Sequence, residues 1–478
     1  MEVRITKVVK NLLWNMGYQV FVLLLPIITI PYVSRVLGPT GIGINAYTNS
    51  IVQYFVLFGT LGLTMYGNRE IAYNRDDRQK MSNLFWELAL LRLVITSLAI
   101  IVYLVFILLV DQYQTFYLIQ GLLLVATAVD MSWFFQGLEE FRITVLRNSL
   151  VKIVSLVLIF TLVKSRNDLW IYIFVLTGSQ VLGNLTLFPY LKTYINKPIW
   201  KQLNLMKHLS PTIAMFVPQI ATQIYLQVNK TMLGAFTGVQ ASGFYDNSDK
   251  IVKILLAVVT ATGTVLLPHS AHSFASGRHD QVEKSLTRSM HFILVLACPM
   301  AAGLAGVAPV FTKVFFGADF WPVSSLLMIE SVIIILVGIS NATGVQYLLP
   351  TNQLVPFTTS VILGAIGNII LNIPLILLYG GNGAMVATVL SEFLVTGYQV
   401  YKIKGQLSLN GLFRETWKYL VAAVIMGCSV RIFVYTLSLS NVVGLLGAAM
   451  YGILVYSIGL LLLKPHVLIK MIVDFRNR

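Results

Sequence analysis

The sequence predicts an all-α integral membrane protein with about 14 transmembrane helices. Of its 478 residues, 57% are hydrophobic and only 11% are charged, a composition that soluble domains do not have. Apolar stretches of about 20 residues recur along the chain, and each is long enough to cross the hydrocarbon core as a helix. The polar connections are short, so no globular domain is expected between the helices. The longest of them span residues 65–82, 191–209, 269–287 and 402–416.

The predicted spans follow one another at short intervals from the N-terminus to the C-terminus. Their centres lie near residues 24, 54, 97, 126, 153, 179, 223, 256, 298, 336, 366, 391, 426 and 452. Pro26 and Pro31 interrupt the first span, and Pro211 and Pro218 interrupt the seventh. Because proline removes backbone hydrogen bonds from a helix, these two spans are expected to bend there, either as hinges or as static kinks.

Lysine and arginine are concentrated in alternate loops, beginning with the N-terminal segment. When the N-terminus is placed inside, most of the 34 basic residues fall on the side that positive loops keep in the cytoplasm. The predicted location is therefore the cytoplasmic membrane, with both termini cytoplasmic. A basic rim that faces membrane lipids also explains the net charge of +15, so no nucleic-acid partner is expected.

An internal repeat relates residues 33–50 to residues 228–248. Both segments carry a basic residue (Arg35 or Lys230), then Leu-Gly, a glycine-rich turn and Tyr-x-Asn-Ser. Since six spans separate the two copies, they have the same orientation and predict parallel repeats around a central cavity. Such bundles transport by rocking one half against the other, which favours a carrier over a channel or receptor. The predicted domains are residues 1–200 (N-lobe, spans 1–6), 201–405 (C-lobe, spans 7–12) and 406–478 (spans 13–14 and a cytoplasmic tail).

Charged residues inside the spans are candidates for function, because each is costly to insert into a membrane. Asp130 shares one predicted helical face with Trp133, Phe134 and Gly137 and should point into the bundle. It is expected to be either an ion-coupling group or a polar brace between helices. The other candidates are Arg35 and Lys230 in the repeat, Arg92 in the third span, Lys250 and Lys253 four residues after Asp246 and Asp249 in the eighth, and the carboxylates Glu87, Glu330 and Glu392.

Neither a metal nor an organic cofactor is predicted. Cys298 and Cys428 both lie in apolar spans, and His269 and His272 have no acidic or cysteine cluster nearby. The chain contains no G-x-x-x-x-G-K-[ST] loop for a nucleotide. A sodium or proton gradient is therefore the expected source of energy, with Asp130, Glu330 and Glu392 as candidate coupling carboxylates.

Three segments carry a resemblance to a known family. They are DMSWFFQGLE at residues 130–139, continued by Phe141-Arg142 and Arg147-Asn148; SRVLGP at 34–39 with Gly41; and YGNREIA at 66–72. The chain resembles the Wzx-type polysaccharide transporters of the multidrug/oligosaccharidyl-lipid/polysaccharide exporter superfamily, over essentially its whole length. The resemblance implies a MATE-like fold and export of an undecaprenyl-diphosphate-linked oligosaccharide to the outer leaflet, for capsule or another surface polysaccharide. A polysaccharide polymerase is a further possible partner.

A transporter of this kind needs groups for the diphosphate and for the sugars. Arginine and lysine suit the phosphates, and tyrosine and asparagine can replace the water that sugar hydroxyls lose. The candidate substrate-binding residues are Arg35, Arg92, Lys230, Lys250, Lys253, Tyr47, Asn49, Tyr245 and Asn247. A peptidoglycan-precursor flippase, a multidrug or cation antiporter and a membrane polysaccharide polymerase are the alternatives. The polymerase would need a large outer loop or an acidic catalytic cluster, neither of which is evident.

Overall fold

The computed structural model describes residues 2–437 and 441–470, which form helices and no strands. The prediction of an all-α integral membrane protein is confirmed. The helices of the first part are α1 (Glu2–Thr60), α2 (Leu63–Asn74), α3 (Arg78–Leu109), α4 (Gln114–Gln120), α5 (Leu122–Ala128), α6 (Ser132–Gly137), α7 (Phe141–Leu162), α8 (Leu169–Leu185) and α9 (Phe188–Tyr194). Those that follow are α10 (Leu209–Phe236), α11 (Val239–Ala275), α12 (His279–Phe315), α13 (Val323–Glu330), α14 (Ile333–Ser340), α15 (Leu354–Ile403), α16 (Leu409–Phe413), α17 (Thr416–Thr436) and α18 (Val442–Leu463).

Ten stretches of the described residues are long and apolar enough to cross a membrane. Two of them, Gly17–Asn74 with 58 residues and Leu354–Ile403 with 50, are each long enough for two crossings. Each contains a glycine with positive φ, Gly38 at 67° and Gly380 at 56°, where the helical path is interrupted. L-residues with a Cβ rarely adopt this conformation, so glycine permits the turn between two consecutive crossings. The total of fourteen spans stays a prediction.

The chain forms two compact units, Met1–Thr231 and Met232–Arg478, and the boundary between them falls inside α10. The predicted division at residues 200 and 405 stays a prediction. Pro218, His269 and His272 lie outside the residues whose side chains are described, and the tail at 471–478 lies outside the described chain.

Aromatic packing builds the core of the N-terminal unit. Trp133, Phe134 and Phe135 of α6 are fully buried, and the Trp133 ring stacks on Phe85 of α3 with centroids 5.8 Å apart. Asp77 caps the start of α3 by accepting the backbone N–H groups of Gln79 and Lys80. These hydrogen bonds lower the pKa of the exposed Asp77 carboxyl.

A buried polar network fastens the segment before α10 to α3. The Glu87 carboxylate, 2% exposed, accepts the backbone N–H of Asn204 at 2.8 Å and pairs with Lys207 at 2.8 Å. Its second oxygen lies 2.9 Å from Nε2 of His208, whose Nδ1 lies 2.8 Å from the Tyr66 hydroxyl. Both carboxylate oxygens of Glu87 are therefore used in holding this segment against α3.

The C-terminal unit packs helices closely at glycines. A Cβ built on Gly306 of α12 would lie 2.8 Å from the carbonyl oxygen of Gly427 on α17. A Cβ on Gly383 would collide with the Leu375 carbonyl, so the two limbs of α15 also pack backbone to backbone. Small residues at such contacts are the usual means of tight helix association in membranes.

Candidate functional site

A break between α5 and α6 places Asp130 outside any helix. The helix α5 ends at Ala128, α6 begins at Ser132, and Oδ1 of Asp130 accepts the Ser132 N–H at 3.0 Å. The prediction of one continuous helical face through Asp130 and Trp133 is therefore wrong. An aspartate side chain can replace backbone hydrogen bonds locally, which is why such residues favour caps over helix interiors.

Arg92 of α3 spans this break and is only 1% exposed. Its Nε donates to the Thr127 carbonyl at 2.8 Å, and one terminal nitrogen donates to the Asp130 carbonyl at 3.0 Å. The other terminal nitrogen lies 3.3 Å from the Thr64 hydroxyl and 3.5 Å from the Asp130 carboxylate. A buried arginine is tolerated when its donors and charge are satisfied, and here two backbone carbonyls at the break, a hydroxyl and a carboxylate satisfy them. Arg92 is thus a brace for the break.

The glycines of the 130–139 segment and of the 66–72 segment let α2 and α6 interlock. A Cβ on Gly67 would lie 2.6 Å from the Trp133 ring. A Cβ on Gly137 would lie 2.7 Å from Ile71 and 2.8 Å from the Asn68 carbonyl oxygen. Within the 130–139 segment, Asp130, Ser132 and Gln136 face a cavity, and Glu139 pairs with Arg75 at 2.8 Å. The other residues of the segment serve packing.

That cavity has a volume of about 570 Å³ and lies within the N-terminal unit. It is lined by the first part and the end of α1, by the start of α2, by Arg92, by the α5–α6 break and by one face each of α7 and α8. Its charged lining residues among those described are three cations, Arg92, Arg147 and Lys152, and one carboxylate, Asp130. The polar uncharged lining residues are Tyr18, Thr29, Thr60, Thr64, Thr127, Ser132, Gln136, Asn148, Ser155, Ser179, Gln180 and Asn184.

Arg147 and Lys152 on α7 are the cations that retain donors for a ligand. One terminal nitrogen of Arg147 donates to Oδ1 of Asn184 at 2.7 Å, while its buried Nε has no hydrogen-bond partner. Lys152 forms neither a hydrogen bond nor an ion pair with any residue in the described part of the chain. The positive charge of Arg147 is partly offset by Asp130, with which it interacts electrostatically. The cavity can therefore accept an anion.

Sequence reasoning counted Arg147 and Lys152 among the basic residues of the cytoplasmic rim and so missed them as site residues. A signal was present, because Asn148, Lys152 and Ser155 recur at helical spacing along α7. Gln180 and Asn184 repeat the pattern on α8. A polar stripe on an apolar span indicates a face turned toward other helices or water rather than lipid.

The other predicted residues of this unit do not line the cavity. Arg35 is exposed on α1, and Lys230 is half-buried on α10. Asn49 donates to Gln120 of α4 at 3.1 Å. Tyr47 meets the Tyr113 ring edge-on, with centroids 6.5 Å apart. Of the predicted set, the structure thus brings Arg92 and Asp130 together here.

A second polar cluster lies in the C-terminal unit around Glu330 of α13, which is 2% exposed. The Ser248 hydroxyl donates to Glu330 at 2.6 Å, and Glu330 interacts electrostatically with Asp249 and Lys253. Both predicted acid-to-lysine pairs of α11 form, with nitrogen–oxygen distances of 2.5 Å for Asp246–Lys250 and 2.6 Å for Asp249–Lys253.

The remaining predicted residues lie nearby or on α15. Tyr245 lies 3.3 Å from the Thr388 hydroxyl, Asn247 is 1% exposed, and Glu392 is half-buried on α15. Among the described residues, no group of three or more His, Cys, Asp or Glu could hold a metal ion.

Three comparisons relate the chain to known proteins. Residues 8–274 match the model of a family described as polysaccharide biosynthesis protein. An Escherichia coli K12 protein named as an O-antigen transporter is 23% identical over 389 residues, which are 80% of this chain and 93% of that protein.

Two solved structures share the fold. Lipid II flippase MurJ in an inward closed conformation has a TM-score of 0.71 at 16% identity, covering 94% of this chain and 98% of its own. An inward-facing multidrug resistance MATE family transporter of the MOP superfamily has a TM-score of 0.62 at 10% identity, covering 80% and 95%.

Proposed function

Since the chain belongs to the polysaccharide biosynthesis protein family, we propose that it is a flippase for an undecaprenyl-diphosphate-linked oligosaccharide. It carries the repeat unit from the inner to the outer leaflet of the cytoplasmic membrane, for capsule or another surface polysaccharide. The E. coli relative named as an O-antigen transporter and the MurJ-like fold support a transporter of a lipid-linked glycan rather than an enzyme. In this proposal both termini are cytoplasmic, and a polymerase uses the exported unit.

The observation that carries the proposal is the cavity of the N-terminal unit, where Arg147 and Lys152 retain donors and Asp130 is the one carboxylate among the described lining residues. A diphosphate has several acceptor oxygens and a negative charge. Arginine offers a planar set of donors to such a group, and lysine a compact positive charge. Polar side chains such as Gln180 and Asn148 replace water around the first sugars.

In this proposal Arg92 orders the site and Arg147 and Lys152 contact the substrate. Arg92 already donates to Thr127 and Asp130, so binding a phosphate would open the helix break. The cations on α7 can bind without that cost. Arg35, Lys230, Lys250 and Lys253 remain proposed contacts for other stages of transport.

Ion coupling completes the proposal, with a sodium or proton gradient as the energy source. Glu330 is the strongest of the three candidate carboxylates. It is buried, it accepts the Ser248 hydroxyl, and it lies within the electrostatic reach of Asp249 and Lys253. A carboxylate in such surroundings can change protonation when the cluster rearranges. Asp130 and Glu392 are the other two candidates.

The test measures transbilayer movement of undecaprenyl-diphosphate oligosaccharide in liposomes with the purified protein, with and without imposed sodium and proton gradients. Arg147→Gln and Lys152→Gln should each reduce the rate by about tenfold or more, since each removes a charge-assisted contact. Lys201→Gln removes an exposed lysine outside the cavity and should leave the rate unchanged. Wild-type rates in both α7 variants would overturn the proposed diphosphate site.

The MurJ-like fold makes lipid II the second candidate substrate. Parallel assays with lipid II decide between the two. Faster movement of lipid II than of the oligosaccharide substrate would replace the first proposal with a peptidoglycan-precursor flippase.

A further inference from the structure

A second concave site in the N-terminal unit lies apart from the polar cavity and is almost wholly apolar. This groove has a volume of about 430 Å³ and is bounded by α3, by the α5–α6 break and by α9. Eleven of its lining residues are apolar, among them Phe85, Leu90, Leu93, Phe188 and Leu191. Leu93 is 41% exposed and Phe188 is 39% exposed, so the groove is open at its surface.

One end of the groove is basic. Its only polar lining residues are Lys192, Asn196 and Lys197, and no acidic residue is among those that line it in the described chain. Both lysines are exposed, and neither forms a hydrogen bond or ion pair with a residue that the structure describes. Two ammonium groups without a counter-ion therefore stand beside an apolar groove.

The backbone at this end is held in place by α3. The Trp86 indole N–H donates to the Asn196 carbonyl at 2.9 Å, and the Asn196 N–H donates to the Ser82 hydroxyl at 2.9 Å. The stretch through α8 and α9 that is long and apolar enough to cross a membrane ends at Tyr194, so the lysines lie near the predicted membrane interface. Tryptophan is typical of this interfacial depth, where lipid phosphates also lie.

From this arrangement we propose that the groove binds one acidic glycerophospholipid, with an acyl chain along α3 and its phosphate between Lys192 and Lys197. The apolar walls match the chain, and the two unpaired lysines match a phosphodiester. Basic pockets between helices at the cytoplasmic side of membrane proteins are suited to such headgroups. This site does not depend on the proposed transport activity, because it uses different residues from the cavity.

The bound lipid would pack directly against the helix break that presents Asp130. Ala128, Val129 and Met131 line the groove, whereas Asp130 and Ser132 line the cavity. The acyl chain of the lipid would therefore cover the apolar residues of the break, while Arg92 of α3 donates to the carbonyls of the break. Lipid binding is expected to stabilise the break in its observed geometry.

Native mass spectrometry of the delipidated full-length protein, titrated with phosphatidylglycerol or phosphatidylcholine, tests the proposal. The double variant Lys192→Gln/Lys197→Gln should raise the Kd for phosphatidylglycerol about 25-fold, at about fivefold per lysine, and leave that for phosphatidylcholine unchanged. Leu93→Trp, which fills the groove from a half-exposed position, should lower the retention of both lipids. The matched control Lys201→Gln/Lys404→Gln removes two exposed lysines outside the groove and should bind as the wild type does.

Three outcomes would overturn the proposal. The double variant could bind phosphatidylglycerol as tightly as the wild type, or the control could lose as much affinity as the double variant. The third is tighter lysine-dependent retention of undecaprenyl phosphate than of phosphatidylglycerol, which would make the groove a site for the polyprenyl chain. Transport assays on the same variants measure the function of the cavity separately, because the groove and the cavity are lined by different residues.

Discussion

Arg92 illustrates how a buried cation can serve structure instead of binding. It donates to the carbonyls of Thr127 and Asp130, which lie on either side of Val129 at the break between α5 and α6. Intramembrane arginine in a transporter suggests a substrate contact, but here the guanidinium fork is occupied by the protein itself. Arg147 lines the cavity, and its guanidinium donates from one terminal nitrogen to Asn184, so it is the better candidate for an external anion.

Replacing Arg92 should therefore destabilise the protein whatever its substrate. Arg92→Gln removes the donors that tie α3 to the carbonyls of Thr127 and Asp130 and leaves Asp130 without its closest cation, at a cost of about 3 kcal/mol. The melting temperature of the purified protein in detergent should fall clearly below that of the wild type. Arg142→Gln removes an exposed arginine and should melt as the wild type does. Equal melting of the two variants would show that Arg92 does not brace the break.

The two roles considered for Asp130 can be separated by a pair of variants. Asn can still accept the Ser132 N–H, whereas Ala cannot, so Asp130→Ala should be less stable than Asp130→Asn by about 1 kcal/mol. Thermal melts measure that difference. Transport by Asp130→Asn then isolates the charge: a lost response to the ion gradient would make Asp130 a coupling group. An unchanged response would leave it as a cap and a partner of Arg92.

At the scale of helices, the contact between α2 and α6 depends on two glycines. The Trp133 ring occupies the space beside Gly67, and the Ile71 side chain and the Asn68 carbonyl occupy the space beside Gly137. The family-like segments at 66–72 and 130–139 are thus two sides of one packed contact. This contact holds the start of α6 in place and thereby positions Asp130 at the cavity.

Gly67→Ala and Gly137→Ala should each destabilise the protein by about 1–3 kcal/mol, because an added methyl overpacks this contact. Gly178→Ala on α8 is the matched control. Its nearest neighbour is a Phe174 ring atom at 3.9 Å, so the methyl group should be accommodated without loss. Melting temperatures in one detergent compare the three. A loss in Gly178→Ala as large as in the other two would point to a general effect of glycine replacement in these helices.

At the scale of the whole molecule, the distribution of basic residues predicts which loops face the cytoplasm. Lys201 follows α9 in a predicted cytoplasmic loop, and Ser165 lies between α7 and α8 in a predicted outer loop. Both positions are exposed.

Single-cysteine labelling in intact cells checks this orientation. In a background with Cys428→Ser, a membrane-impermeant maleimide should label Ser165→Cys and spare Lys201→Cys until the cells are opened. Cys298 is fully buried and should not contribute to the signal. The reverse labelling pattern would invert the predicted topology, and with it the proposed direction of transport from the inner leaflet.

The sequence by itself determined the class of the protein and the identity of its helices. The length of an apolar stretch is a local property of the sequence. Every predicted span centre falls within a helix of the structure. The acid-to-lysine pairs on α11 were predictable for the same reason, since residues four apart on one helix are neighbours. The polar stripe on α7 is likewise a local pattern that the sequence contains.

Only the tertiary structure decided which of these residues share a site. Whether Arg147 and Lys152 face water, lipid or a cavity depends on how α7 packs against α1, α6 and α8, which no local pattern fixes. The break at Asp130 likewise involves a tertiary contact, because Arg92, distant in sequence, donates to the carbonyls of Thr127 and Asp130 there. Local chemistry specifies where a chain can form helices, and packing between distant segments specifies which polar groups are consumed and which remain to bind.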